Sequence, residues 1–236
     1  MNINEFIEEI KNLGIKVTET QLELLNTYYE FLVSYNKHTN ITRILEKEDV
    51  YLKHFYDSLT ISKVIDLNLY NNLIDLGSGA GFPGVVIKIF FPNLEVTLLD
   101  SNNKKTRFLK DLTEKLSINV NIINKRIEEH SKDNLNKYDV VVARAVSNLR
   151  VLSELSLPLA KEGGYFIAMK GDSKVEVEEA KDTIGFMNSK IKEVNDFILL
   201  KENSKRSIIL IEKNKVSTIK DLRPYDKILK SKLKKN

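Results

Sequence analysis

The chain has 236 residues, 42% of them hydrophobic, with a formal net charge of +4 and no cysteine. The lack of cysteine excludes disulfides, iron–sulfur clusters and thiol nucleophiles, and three scattered histidines do not have the spacing of metal ligands, so we expect no metal. No apolar run approaches the roughly 20 residues that a membrane span needs, and the N-terminus lacks the basic region of a secretory signal, so we expect a cytoplasmic protein without membrane contact.

Residues 3–65 have the pattern of a helical region. Thr18 and Gln21 form a capping-box signature at the start of one helix, and a second helical stretch covers 50–64. The apolar side chains that recur at helical spacing after this cap are Leu22, Leu25, Tyr29 and Leu32.

From Leu73 onward, short apolar runs alternate with amphipathic helices. Seven strands joined by helical crossovers, which include 104–116 and 173–190, indicate an α/β fold with a mostly parallel, doubly wound sheet. The strand candidates are 73–76, 95–99, 120–123, 138–143, 164–169, 194–200 and 207–212. We expect three regions, which are an N-terminal helical region at 1–65, a sheet domain at 66–219 and a basic C-terminal tail at 220–236.

Four glycines follow the first predicted strand within eight residues, a spacing typical of loops that hold nucleotides. A literal G-x-G-x-x-G begins at Gly79, but the position directly after the strand is Gly77, and counting five onward reaches Phe82 instead of glycine. Asp75 at the strand end would repel a pyrophosphate at the next helix, whereas it suits the ammonium group of S-adenosylmethionine. No Gly-Lys-Ser/Thr follows, which excludes a P-loop.

The ends of the next strands supply further candidate residues. Asp100 ends the second strand, where an acid accepts hydrogen bonds from ribose hydroxyls in both NAD and S-adenosylmethionine folds. Ile127 and Glu128 follow the third strand, where an adenine would lie between an apolar and a polar residue. Arg144 ends the fourth strand and is therefore placed at the reaction centre, with a surface salt bridge as the alternative role.

The string DLGSGAGFPG at 75–84, followed by LLDS at 98–101, closely resembles the bacterial small-subunit rRNA methyltransferase G family, historically called glucose-inhibited division protein B. The resemblance covers nearly the whole chain. The further matching stretches are Tyr35-Asn36, Asn40-Ile41-Thr42, His54, Asp57-Ser58-Leu59, Tyr138-Asp139-Val140-Val141, Ala143-Arg144-Ala145, Leu157-Pro158-Leu159, Gly163-Gly164, Lys170-Gly171 and Arg206-Ser207-Ile208.

The resemblance implies a Rossmann-like S-adenosylmethionine-dependent methyltransferase that methylates N7 of one guanine in the decoding-region loop of 16S rRNA. The expected partner is 16S rRNA, in the small ribosomal subunit or its assembly intermediate, and we expect a monomer. The candidate cofactor contacts are Asp75, Gly77, Gly79, Phe82, Asp100, Ser101, Ile127, Glu128 and Arg144, of which Arg144 is also the catalytic candidate. The candidate RNA contacts are Lys53, His54, Lys104, Lys105, Arg126, Lys170 and Arg206.

The chain departs from the family pattern in two places. Lys53 stands where the family usually has arginine, and the tail around Pro224 lacks the usual Pro-Arg order. From Lys220 onward, seven basic residues and two acids give a local charge of +5, which predicts either a solvated end or a contact with a polyanion.

Several alternatives remain open at the level of the sequence. The fold could belong to a nicotinamide-dependent oxidoreductase, which Asp75 disfavours, or to a non-catalytic RNA-binding module. His54, Asp57 and Ser58 could suggest a catalytic triad, but their spacing favours one amphipathic helix beside the pocket. The aromatic cluster at 28–35 is interpreted as core and not as a platform for stacked bases.

Overall fold

The computed structural model describes residues 1–144 and 146–231, which contain one seven-stranded mixed sheet. Its strands lie in the order β3-β2-β1-β4-β5-β7-β6, and β7 is antiparallel to both of its neighbours while β1 to β5 are parallel. This confirms the predicted α/β fold. The strands are β1 Asn72–Leu76, β2 Glu95–Leu99, β3 Asn121–Ile123, β4 Tyr138–Arg144, β5 Ala160–Lys170, β6 Ser189–Leu199 and β7 Ser204–Lys213.

The N-terminal residues are helical, as expected. Helix α1 covers Ile3–Asn12 and α2 covers Glu19–Asn36, and Thr18 and Gln21 form the predicted capping box with hydrogen bonds of 3.3 and 2.8 Å. The stretch predicted at 50–64 is a composite of short turns with different hydrogen-bond spacing. Its parts are α3 Lys47–Val50, a π-helical turn Tyr51–Tyr56, α4 Asp57–Leu59 and a 3-10 turn Thr60–Lys63.

Six further helices accompany the sheet within the described part of the chain. They are α5 Gly84–Phe90, α6 Asn103–Lys115, α7 Ile127–Asp133, α8 Leu149–Ser156, α9 Lys174–Phe186 and α10 Tyr225–Lys230. Short 3-10 turns lie at Leu67–Leu69, Leu157–Leu159 and Ile219–Asp221. Within the described ranges, we find no helix with the length and apolarity that a membrane crossing requires.

The N-terminal helices share a buried core with the sheet. Phe6 and Leu25 belong to the same apolar cluster as Val85 of α5 and Phe108 of α6. A second cluster covers the other face of the sheet and includes Leu152 of α8. The N-terminal helices are therefore packed on one face of the sheet, which brings the turn that contains His54 to the glycine loop.

Candidate functional site

The glycine loop is held close to the sheet by its backbone conformation. Gly77 and Gly81 have φ values of 71° and 94°, in the left-handed region that side chains other than glycine rarely adopt. The N–H of Gly77 donates to the carbonyl of Leu99 at 2.7 Å, so the loop crosses from the end of β1 to the end of β2. A Cβ at Gly77 would lie 2.8 Å from Cγ2 of Val146, which follows β4. The positive φ and this close approach both favour glycine at position 77, where the three strand ends meet.

Asp75 lies fully buried beneath this loop. Its Oδ2 accepts a hydrogen bond of 3.0 Å from the N–H of Gly84, the first residue of α5, whereas its buried Oδ1 has no hydrogen-bond partner within the described chain. Burial raises the pKa of the Asp75 carboxyl to about 7. Through its hydrogen bond to the N–H of Gly84, the carboxyl occupies the helix N-terminus at which a pyrophosphate would bind, in line with the expectation from the sequence.

Asp100 connects the end of β2 to the glycine loop. Its Oδ2 accepts from the N–H of Gly79 at 2.9 Å, and its Oδ1 accepts from the N–H of Asn102 at 2.8 Å. The carboxylate is nearly buried, and the ammonium of Lys105 lies 3.9 Å from Oδ2. Each oxygen keeps one lone pair, so the carboxylate can still accept from a ligand hydroxyl.

A cavity of about 150 Å³ lies beside Asp100, and we call it the small cavity. Five of the predicted cofactor contacts line it, namely Gly77, Asp100, Ser101, Ile127 and Glu128. The structure thus brings together residues that follow three different strands. Arg126, predicted as an RNA contact, also lines this cavity. The lining residues that the sequence did not predict are Leu99, Lys125, Val146, Ser147, Leu155 and Tyr225.

Arg144 lies at the carboxyl end of β4 with its guanidinium turned toward the N-terminal helices. Its Nη1 donates to Oδ2 of Asp57 at 3.0 Å and to the carbonyl of Lys53 at 3.1 Å. Its Nη2 lies 3.4 Å from Nδ1 of His54, and the guanidinium carbon is 5.3 Å from the ring centroid of Phe82. The ion pair with Asp57 is largely buried, so it is not the surface salt bridge considered as the alternative, and it lies at the strand end where the sequence places the reaction centre.

Three flat side chains form a column beside Arg144. The Phe82 ring stacks on Tyr28 at 5.3 Å with an interplanar angle of 9°, and on His54 at 4.3 Å and 15°. The Tyr28 hydroxyl donates to the carbonyl of Ala80 in the glycine loop. Tyr28 is fully buried, in agreement with the interpretation of the aromatic cluster as core.

His54 is neutral in this column. Burial and, secondarily, the neighbouring Arg144 charge lower the pKa of His54 to about 3. Its Nε2 lies 3.2 Å from the Thr42 hydroxyl. The Ser58 hydroxyl donates to the backbone carbonyl of His54 at 2.5 Å, so Ser58 and His54 are not arranged as nucleophile and base.

Arg144 lines a larger cavity, of about 660 Å³, and we call it the large cavity. It lies at the carboxyl ends of β4 and β5 and at the start of β7. The side chains that line it combine apolar walls, such as Met169 and Phe197, with several charged groups. Lys170 connects the linings of the two cavities, because its Nζ donates at 2.6 Å to the carbonyl of Ser147, which lines the small cavity.

The basic residues of the large cavity are ion-paired. Lys53 lies 2.5 Å from a Glu202 oxygen, and Lys170 lies 2.8 Å from a Glu176 oxygen. Arg206 donates from Nε to Oδ1 of Asp57 at 3.0 Å, so Asp57 holds two arginines. Three predicted RNA contacts therefore pair with carboxylates of the protein, and Asp57 is shared between two arginines. The remaining basic candidates also include ion pairs, of Lys105 with Asp100 and of Arg126 with Glu128, but their side chains reach solvent. They lie at the first turn of α6 and beside α7; these are Lys104, Lys105 and Arg126.

Comparison with known proteins gives consistent matches. A family model described as rRNA small subunit methyltransferase G matches residues 21–215. The "Ribosomal RNA small subunit methyltransferase G" of Bacillus licheniformis is 47% identical over 217 residues, which cover 90% of this chain and 91% of that protein. The protein of the same name in Bacillus subtilis is 44% identical over 219 residues, with 91% and 92% covered.

A solved structure adds evidence on the fold alone. The crystal structure of a precorrin-6y C5,15-methyltransferase from Geobacter metallireducens superposes with a TM-score of 0.53 at 15% identity. The match covers 75% of this chain and 92% of that chain. The sheet and its helices are therefore those of a Rossmann-like methyltransferase.

Proposed function

The chain belongs to the rRNA small subunit methyltransferase G family, and we propose that it transfers a methyl group from S-adenosylmethionine to N7 of a guanine in the decoding-region loop of 16S rRNA. The proposed substrate is the small ribosomal subunit or its assembly intermediate. The observation that carries the proposal is the small cavity, where five of the predicted cofactor contacts lie together at the strand ends.

The residues around the small cavity suit an adenosyl ligand that carries no phosphate. Asp100 keeps an acceptor for ribose hydroxyls, and Ile127 and Glu128 offer an apolar and a polar surface to an adenine. The Asp75 carboxyl at the N-terminus of α5 disfavours a pyrophosphate. This argues for S-adenosylmethionine over a nicotinamide dinucleotide. We propose that Gly79, Phe82 and Ser101 complete the contacts.

The large cavity suits the target base. Four basic and four acidic side chains line it, so the lining has no formal net charge and favours a neutral group over a phosphate. It adjoins Arg144, whose guanidinium can donate to O6 of a guanine while N7 remains open to the methyl donor. We therefore propose that the guanine enters the large cavity and that the exposed basic residues near the small cavity contact the RNA backbone.

The bound cofactor would supply a methyl group activated on a sulfonium. Guanine N7 carries a lone pair and no proton, so the protein has no proton to remove before attack. His54, the one histidine among the residues that line the large cavity, is held neutral by burial, and it need not act as a base. The work of the chain is to align N7 and exclude water, and such positioning can supply roughly 7–11 kcal/mol.

The direct experiment uses small ribosomal subunits from cells in which this methylation is lacking. Incubation with the protein and labelled S-adenosylmethionine should yield 7-methylguanosine in the digested 16S rRNA. A protein that binds the subunits and leaves no methylated nucleoside would indicate a non-catalytic RNA-binding module. In a parallel thermal-unfolding assay, S-adenosylhomocysteine should raise the midpoint and NAD should not.

A further inference from the structure

The C-terminal helix α10 forms part of the wall of the small cavity. Tyr225, the first residue of α10, lines this cavity together with Leu155 of α8 and Ile127 of α7. The guanidinium carbon of Arg126 lies 5.0 Å from the centroid of the Tyr225 ring. The ring is therefore half-buried and in contact with the segment that is proposed to hold the adenine.

The tail is anchored to α8 by a buried ion pair. The Arg223 guanidinium donates through two nitrogens to the two oxygens of Glu154, with 2.7 Å between Nη2 and Oε2. The Glu154 carboxylate is only 1% exposed, so Arg223 is the cation that balances a charge taken out of water. Such a bidentate pair fixes orientation as well as distance.

Apolar packing continues this anchor along α10. Ile228 is 2% exposed and packs against Val151 and Leu155, while Ile127 and Tyr225 pack against the same cluster. Arg150 of α8 also donates from Nη1 to the carbonyl of Ile228 at 2.9 Å. The segment from 223 to 231 thus packs against α8 in a defined position, at the edge of the small cavity.

We propose that Tyr225 is a cofactor-binding residue and that α10 covers the adenosyl part of S-adenosylmethionine. The inference rests on the proposed function, because it assigns a further residue to that same site. The ring lines the same cavity as Gly77 and Asp100 and packs beside Ile127, and an aromatic side chain there shields an adenine from water. Removal of one such stacking ring weakens binding by about tenfold or more.

This assignment changes the expected role of the tail. The sequence predicts a solvated end or a contact with a polyanion for 220–236, and Arg223 accounts for one of its seven basic residues by pairing with Glu154. Residues 232–236, with three of the lysines, lie outside the described residues. A polyanion contact by those lysines is compatible with a cofactor contact by Tyr225, because the two belong to different parts of the tail.

The test compares full-length variants by calorimetric titration with S-adenosylhomocysteine. Tyr225→Ala should raise the Kd by about tenfold, whereas Tyr225→Phe, which keeps the ring, should stay within about twofold. Leu229→Ala is the matched control, because Leu229 is on the same helix and is 48% exposed. Affinity for small ribosomal subunits should be the same for Tyr225→Ala and the wild-type chain.

Hydrogen exchange supplies a readout that does not require a substitution. In the wild-type chain, S-adenosylhomocysteine should slow the exchange of amides in α10 and α8 together with those of the glycine loop. A folded Tyr225→Ala variant with the wild-type Kd, or exchange in α10 that the ligand leaves unchanged, would overturn the inference. A wild-type chain that does not bind S-adenosylhomocysteine would instead overturn the proposed function, and the inference with it.

Discussion

Asp57 is the residue on which the charge balance of the large cavity depends. It is 6% exposed and accepts from Arg144 through one oxygen and from Arg206 through the other. A carboxylate removed from water is stable only when cations face it, and the two arginines likewise need the carboxylate as their counter-charge. The aspartate is thus a connection between β4, β7 and the N-terminal helices.

Removal of this carboxylate should be costly. We expect Asp57→Ala to lower the free energy of unfolding by about 3–5 kcal/mol, because two largely buried arginines lose their counter-charge. The measurement is urea unfolding followed by circular dichroism. Asp49→Ala is the control: Asp49 pairs with Lys53 at 3.1 Å but is 45% exposed, so its loss should cost less than about 1 kcal/mol. Equal losses in the two variants would contradict this account.

The buried carboxyl of Asp75 predicts a pH dependence of stability. Its pKa is about 7 in the folded chain and about 4 when exposed, so between these values the folded state binds more protons than the unfolded state. Its contribution to stability is therefore largest below pH 4, falls as pH rises from 4 to 7 and is constant above. Asp75→Asn cannot titrate, so the unfolding free energy of wild type minus that of the variant should fall across this window.

The measurement for Asp75 is urea unfolding of both proteins at several pH values. Above about pH 8, where the Asp75 carboxyl is ionised, we also expect Asp75→Asn to weaken S-adenosylmethionine binding by roughly 1.5–3 kcal/mol, as for a charge-assisted hydrogen bond. A pH-independent difference in stability would show that the folded carboxyl titrates at its ordinary pKa. Unchanged cofactor affinity in the folded variant would remove Asp75 from the binding site.

Arg144 allows a test of the chemistry. With cofactor and RNA saturating, the single-turnover rate should be nearly flat from pH 6 to 9, because N7 has no proton to lose before it attacks. Arg144→Ala should lower the rate by a similar factor at every pH, and Arg144→Lys should recover only part of it. A wild-type rate that rises tenfold per pH unit below neutrality would mean that a base is deprotonated.

At the scale of the elements, the predictions match β1 to β4 within one residue, including the edge strand β3, whereas β5, β6 and β7 begin three to five residues before their predictions. The central strand β4 is a continuous apolar run because both of its faces are buried, and the prediction at 138–143 matches it within one residue. The edge strand β6 begins at Ser189, five residues before the prediction at 194–200. Its outer residues alternate between exposed and half-buried positions, so only its last apolar residues gave a signal.

The predicted helix at 173–190 ends too late for a local reason. Helix α9 ends at Phe186, since Asn188 has a φ of 51° and Ser189 already pairs with β7. A residue in the left-handed conformation stops a helix, but an asparagine in the sequence is only a weak sign of that conformation.

Tyr225 was not predicted for a different reason. It is far from Asp100 along the chain, and it lines the same cavity only because α10 packs on α8.

The capping box of α2 is predicted by the sequence and is present in the structure. Thr18 accepts from the N–H of Gln21, and the Gln21 side chain accepts from the N–H of Thr18. Thr18→Ala should therefore lower the free energy of unfolding by about 1 kcal/mol. Thr18→Ser keeps the hydroxyl and should stay close to wild type in the same urea titration. A loss of equal size in both variants would mean that packing of the threonine methyl, and not the cap, is responsible.

At the scale of the whole molecule, the distribution of charge matters more than the net charge of +4. The cations of the large cavity pair with carboxylates, whereas Lys104 and Lys105 lie at the first turn of α6 beside the small cavity. Only cations that reach solvent can release counterions from a nucleic acid. The molecule thus separates a cavity in which the cations are paired, where we propose that the base binds, from an exposed basic surface that we propose contacts phosphates.

This separation predicts different salt dependences for lysines in the two places. In binding to small ribosomal subunits, Lys104→Gln with Lys105→Gln should reduce the slope of log Kd against log salt by up to about 2, since each lost phosphate contact removes about 0.7–0.9. Lys170→Gln also removes a positive charge, but the Lys170 side chain is only 9% exposed and is paired with Glu176, so the slope should not change. Slopes would be measured by filter binding between low and physiological salt, with S-adenosylhomocysteine affinity as a check on folding. Lys170→Gln could instead lower the slope as much per charge as the double variant of Lys104 and Lys105. The ion pair of Lys170 with Glu176 would then have to open when RNA binds, and the large cavity would hold a phosphate instead of a neutral base.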